Sequence, residues 1–486
     1  MSDNKDNSLE LLFKPRNVAI FEAKDKISYF IEGFKVQGFN LDNLYLISPT
    51  IENLFDIKCY KSFDDIPSDS IDLLILSVRR ESLVGSLKEI LKKKKINFVH
   101  IFTAGTGESD EIGVKIESQL QEILKENGVT RAIGPNCMGI YCPSGKNAYY
   151  PSFPTETGNV GLIFQSGDLH SKMIKFGSRN YNLKFSKGVS VGNCMDLQTS
   201  DFLQDFNNDD ETDLICVYFE GFSSLHEKEG KKLLYALKNM KIPVLFMRGG
   251  RSKRGQTAVL THTGSMATRR NIWNAIYKQT PIIEVPPSLD ELIDYANIFY
   301  NIINRFKKRE KTVIYPENER ALVVLWSGGF GILATDTLTE LGIEMPYFQG
   351  KTLEKLKKIY PGVVGSLANP LDLPWITQTN TFLEVCVAAI DENIDLVIIE
   401  TDAWSDMESE GFKAYYNNLV KIKEHTETLN KIFIIILHQY PSESRNAFYN
   451  KLVKDDFLVY PTIERAAKSF LAAQEYGKKK KRFNLK

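Results

Sequence analysis

Cysteine is scarce in this sequence, with six in 486 residues (Cys59, Cys137, Cys142, Cys194, Cys216, Cys386) and no CxxC pair. That is too thin for a disulfide scaffold and fits a reducing, cytoplasmic setting. Net charge is absent, since 61 Lys and Arg stand against 61 Asp and Glu. No surplus cation is left to hold a phosphate backbone, which argues against nucleic acid as a partner. No run of about 18 uncharged apolar residues occurs, and the opening MSDNKDNSLELLFKPRN lacks an apolar core behind a basic start, so neither a membrane span nor a secretory leader is expected. Phosphate-loop (GxxxxGK[ST]) and dinucleotide (GxGxxG) spacings are missing too, which removes an independent P-loop site and a nicotinamide dehydrogenase reading. No metal site is expected.

What remains is ordinary globular composition, 43% hydrophobic and 25% charged, at a length that suits about three domains. Short β-branched runs alternate with longer amphipathic stretches, the rhythm of βαβ units on parallel sheets. The expected class is α/β: a Rossmann-like domain over residues 1–148, a flavodoxin-like domain over 149–304, a linker over 305–319, and a second flavodoxin-like domain with a basic tail over 320–486. The basic runs Lys92 to Lys95 and Lys478 to Arg482 read as a solvated helix end and a solvated tail.

Three segments of the second series carry chemistry. RGGRSKRGQTAVLTHTGSMA sets His262 between two threonines, read here as a small-residue loop that leaves the imidazole accessible. IFQSGDLHSK crosses from a strand through Ser166 and Gly167 into a helix, whose first N–H groups suit a phosphoryl group. VYFEGF puts Glu220 at the carboxyl end of a strand, where a carboxylate can accept one imidazole N–H and leave the other nitrogen nucleophilic. Asn136 in GPNCMG and Gly192 with Asn193 in GVSVGNCMD suit turns, since Gly and Asn tolerate positive φ, and equally suit a pocket wall.

With SGGFGILATD and NPLD, these motifs run in one collinear order from Leu12 to about Tyr476, and the sequence resembles the α subunit of ADP-forming acyl-CoA synthetases, relatives of succinyl-CoA synthetase. The resemblance implies a CoA-binding domain, then two flavodoxin-like ligase domains. It implies the reversible reaction of acyl-CoA, ADP and phosphate to carboxylate, CoA and ATP, through an acyl phosphate and a phosphohistidine. By the THTG match His262 is the phosphoryl carrier and Glu220 steadies it. Ser166, Gly167 and Gly264 hold phosphate, and Asn136, Gly192, Asn193 and Arg79 line the acyl and CoA pocket. CoA enters as a substrate, no prosthetic group is implied, and ATP or ADP with Mg belongs to an ATP-grasp β subunit, so a hetero-oligomer is expected.

The sequence also departs from the family pattern. The first strand usually ends in Gly-Ala-Ser, and here stand Glu22, Ala23 and Lys24, which puts a carboxylate near the expected polyphosphate. Val-Pro after the third strand is replaced by Val78, Arg79 and Arg80, offering either CoA contacts or surface charge. Phe164 and Asp168 flank the Ser166-Gly167 turn, and Asp168 either caps its helix or repels phosphoryl oxygens. These changes leave an alternative: a diverged regulatory or assembly subunit that retains the fold without catalysis.

Overall fold

The computed structural model describes residues 9–223, 226–263, 269–361, 365–391 and 393–485. They form two compact units, one made of the chain up to Leu292 apart from residues 180–182, the other of those three residues and the chain from Ile293.

In the first unit, β1 (Val18–Phe21), β2 (Leu44–Ile47), β3 (Asn53–Leu54), β4 (Ile57–Tyr60), β5 (Ser70–Leu76), β6 (Lys95–Ile101) and β7 (Arg131–Ile133) form a sheet in the order β3-β4-β2-β1-β5-β6-β7. It is parallel except for the β3–β4 hairpin. Strands covered on both faces need near-continuous apolar runs, and the SIDLLIL of β5 meets that need. Its one charged residue, Asp72, is held by Arg16 through Nε at 2.8 Å and Nη2 at 2.9 Å, and by Asn97 at 2.9 Å. The chain runs outward from β1 to β4 and returns to β5, so the strand order reverses between β1 and β5. Ligands of open α/β sheets bind at the carboxyl ends around such a switch.

The second sheet is built from β8 (Gly139–Cys142), β9 (Asn147–Ala148), β10 (Thr157–Phe164), β11 (Phe185–Ser190), β12 (Leu214–Phe219), β13 (Val244–Arg248) and β14 (Ile283–Val285), in the order β14-β13-β12-β10-β11-β8-β9. Its parallel part, β11-β10-β12-β13-β14, is flavodoxin-like and switches between β10 and β12. The chain crosses from the first sheet into this one within the turn after β7: β8 runs antiparallel to β11, with Ile140 opposite Val189. Gly134 N–H donates to Val191 O at 3.2 Å and Met195 N–H to Gly134 O at 3.0 Å, stitching the two sheets beside the seam.

In the second unit, β15 (Ala321–Leu325), β16 (Ser366–Leu367), β17 (Leu371–Asp372), β18 (Leu396–Thr401), β19 (Ile432–Leu437) and β20 (Leu458–Tyr460) repeat the flavodoxin-like order as β16-β17-β15-β18-β19-β20. The fold is thus a Rossmann-like domain followed by two flavodoxin-like ones.

Three local readings are corrected. His262 belongs by its backbone to the helix Lys253–Thr263 rather than to a loop. Ser252 starts that helix, its Oγ accepting Gly255 N–H at 3.0 Å, and the small residues that follow fit a helix as well as a loop. Lys478 to Arg482 lie within the helix Ile463–Arg482, and Lys479 to Arg482 form its last turn, where cations meet the negative end of the helix dipole. The helix Leu289–Lys307 enters the stretch expected as a linker.

Candidate active site

The turns after β1, β5, β6, β7, β10 and β11 all line one cleft of about 810 Å³ in the first unit. That volume lies in the range of small-molecule sites. Asn136, Ser166, Gly167, Gly192, Asn193 and Arg79 come together there, joined by Lys24.

The helix Gly167–Tyr181 opens on the cleft, and Ser166 Oγ caps it by accepting Leu169 N–H at 3.3 Å. The first N–H groups of a helix have no intrahelical acceptor, so those of Gly167 and Asp168 are available to an anion. Gly167 has to be small: a Cβ there would lie 2.3 Å from Met138 Cγ. The Asp168 carboxylate is engaged by Lys172 at 2.6 Å on the exposed side of the helix. His170, one turn on, is a core residue. Burial pushes its imidazole down to about 3, and its Nδ1 lies 2.6 Å from the Tyr149 hydroxyl.

Across the switch point, Glu220 is 5% exposed. Its N–H is taken by Gln165 Oε1, which also accepts Gly221 N–H at 3.1 Å, while Gln165 Nε2 donates to Gly221 O at 2.9 Å. The Tyr218 hydroxyl bonds to the Glu220 carboxylate, and burial together with that charge pushes the hydroxyl far above its ordinary range. The His262 side chain and all of Gly264 lie outside the described residues, so no contact of theirs with Glu220 is stated.

At the CoA-binding end expected from sequence, Glu22 adopts φ 55°, keeping the left-handed turn that a glycine would take without strain. Its carboxylate lies 3.9 Å from Lys24 Nζ. Arg79 and Arg80 both line the cleft, and Arg80 is paired with Asp110 at 3.0 Å and Glu81 at 3.2 Å. Gly192 (φ +59°) packs so tightly on the GPN turn that a Cβ would sit 2.3 Å from Pro135 O.

Reading the sequence missed four participants. Gln165 looked like a strand end. Tyr218 shares a face with Glu220 by the period of two, a usable signal. Glu108 and Glu117 surround the Asn193 amide, and Glu117 sits on the buried face of the helix Glu111–Asn127 with Ile116, Leu120 and Leu124. A glutamate in an apolar stripe was the clue. Burial pushes the Glu117 carboxyl up, and bonds from Asn193 and Gly107 pull part of that back.

Among the described residues no group of three His, Cys, Asp or Glu is arranged to hold a metal ion. No helix among them is long and apolar enough to cross a membrane.

Comparison with known proteins agrees with this architecture. Residues 22–143 match a CoA binding domain and residues 157–299 a succinyl-CoA ligase like flavodoxin domain. The chain is 30% identical over 398 residues to the acetate–CoA ligase [ADP-forming] II subunit alpha of Pyrococcus furiosus, covering 80% of this chain and 81% of that protein. It belongs to the ADP-forming acyl-CoA synthetase family. Acetate–CoA ligase [ADP-forming] of Methanocaldococcus jannaschii is 33% identical over 373 residues, 76% of this chain and 49% of that protein. The chain therefore spans about half the length of that relative. The dinucleotide forming acetyl-coenzyme A synthetase 1 of Ca. Korarchaeum cryptofilum, solved with phosphate and ADP, superimposes with a TM-score of 0.79 at 25% identity, covering 98% of each chain.

Proposed function

We propose that this chain is the α subunit of a cytoplasmic ADP-forming acyl-CoA synthetase, an acid-thiol ligase working with an ATP-grasp β subunit in a hetero-oligomer. The observation that carries the reading is the shared cleft. The switch point of a CoA-binding-type sheet and the anion-ready helix start of a ligase-type sheet open into one space.

Phosphate attacks the acyl carbonyl of acyl-CoA, the C–S bond breaks, and CoA leaves as the thiol with an acyl phosphate behind. His262 then attacks phosphorus, releasing the carboxylate, and the phosphohistidine passes its phosphoryl group to ADP bound with Mg on the partner. N–H groups of Gly167 and its neighbour, capped by Ser166, hold the phosphoryl oxygens, with Gly264 beside them. Glu220 steadies the imidazole and the charge it gains, and Tyr218 and Gln165 hold Glu220. Asn136, Gly192 and Asn193 line the acyl end, and Arg79 serves the CoA phosphates.

The test is intact-protein mass spectrometry under alkaline conditions, after incubation with Mg-ATP and a candidate ATP-grasp subunit. The reading expects one acid-labile phosphoryl group, lost on adding CoA and a carboxylate substrate and absent from His262→Ala. No label on a chain that demonstrably binds the partner selects the non-catalytic, assembly reading instead.

A further inference from the structure

We propose that Glu117, together with Glu108, is a positioning pair that fixes the amide of Asn193 and, through it, aims an N–H of Asn136 into the cleft; this rests on the reading above. The Asn193 amide is buried, and its Nδ2 lies 2.6 Å from Glu108 Oε2, 3.1 Å from Glu117 Oε2 and 3.1 Å from Thr106 Oγ1. Ionised carboxylate oxygens only accept. Turning the amide over would press its oxygen against both glutamates, so hydrogen-bond chemistry settles the orientation. Asn193 Oδ1 therefore faces the other way, 3.5 Å from Asn136 Nδ2.

Asn136 is itself fixed: its N–H donates to Thr103 O at 3.0 Å and its φ is 58°. An amide nitrogen carries two hydrogens. One of Asn136's is directed at Asn193, and the other serves an acceptor in the cleft that both residues line. This corner selects an oxygen, as an acyl or phosphoryl group supplies.

The carboxylates are themselves held in place. Glu108 takes Gly105 N–H at 2.6 Å and Thr106 N–H at 3.1 Å, and Glu117 takes Gly107 N–H at 2.9 Å. A leucine at 117 would suit the helix stripe and avoid burying a charge. The carboxyl group makes sense as the element that orients Asn193.

Calorimetric titration of the whole chain with inorganic phosphate and, separately, with CoA tests this. Glu117→Leu should weaken phosphate binding about tenfold, the loss of roughly one oriented hydrogen bond. Glu117→Gln, whose amide oxygen still accepts from Asn193 and Gly107, should restore binding to within about threefold. Asn136→Ala should lose as much as Glu117→Leu, and the double variant no more than either alone, because the two act in series. If Glu117→Leu does not fold, Asn193→Ala takes its place in the cycle. Losses that multiply in the double variant, or wild-type affinity in Glu117→Leu, overturn the inference. A wild-type chain that binds neither phosphate nor CoA overturns the functional reading, and the inference with it.

Discussion

Gln165 holds Glu220 across the gap between two neighbouring strand ends, gripping its backbone rather than its carboxylate. One planar amide thereby fixes how far Glu220 stands from the helix start that follows Ser166.

Replacing Gln165 with Ala leaves the buried N–H groups of Glu220 and Gly221 without their acceptor, at about 1–3 kcal/mol each. The expected result is a chain destabilised by about 2–4 kcal/mol in urea. Under the proposed function, phosphoryl transfer to a nucleotide on the partner should fall further than CoA affinity does. An unchanged transfer rate in a folded Gln165→Ala chain would refute the role given to this residue.

Gly192→Ala sets a methyl group against Pro135 O at a φ of +59°. Neither side can yield cheaply, because the obstacle is backbone in an interlocked turn. A loss of about 1–3 kcal/mol and weaker ligand binding should follow. Denaturant midpoints and CoA calorimetry read both.

Glu22→Gly should do the opposite of most glycine substitutions. The left-handed φ of 55° costs Glu22 roughly 1 kcal/mol that glycine avoids, offsetting the chain entropy glycine adds. The melting midpoint should hold or rise, and CoA should bind more tightly once Lys24 is relieved of the nearby carboxylate. A drop in both would show that the Glu22–Lys24 pair supports the site.

Glu400 makes the second unit sensitive to pH. Burial, helped by Asp402, raises its carboxyl to about 7, against the pull of the Trp326 N–H. Because the folded value lies above the unfolded one, its contribution is fully present below about pH 4.5 and is lost as pH rises through about 7. Glu400→Gln should remove that slope and stabilise the unit at pH 8 by about 1–2 kcal/mol, a figure reduced for partial solvent screening. Melting curves at pH 5 and pH 8 for the two proteins decide it.

Much of the fold was legible because parallel strands announce themselves: the runs at Leu214–Phe219 and Val244–Arg248 fall where their apolar stretches put them. The short pieces were not. β8 and β9 contain too few residues to show a period, and nothing local says that β8 pairs with β11, and β9 with β8, rather than with the preceding sheet. Within the site, Asn136, Ser166, Gly167, Gly192, Asn193 and Arg79 were readable as turn residues at strand ends. Gln165 and Glu108 were not, because Gln165 bonds the backbone of Glu220 and Gly221 and Glu108 bonds the Asn193 amide, partners far along the chain. Helix or loop at His262 turned on residues whose intrinsic preferences are nearly equal.

The antiparallel insertion of β8 bears on how this chain can be taken apart. A cut after Ala148 would carry β8 and β9 away with the wrong half and strip β11 of its neighbour, baring a strand edge of the kind that recruits other chains into aggregates. Anyone shuffling modules of this family, whether by recombination in nature or at the bench, has to treat the first two sheets as a single transferable piece. A protease or a mass-spectrometric hydrogen-exchange experiment should find them yielding together.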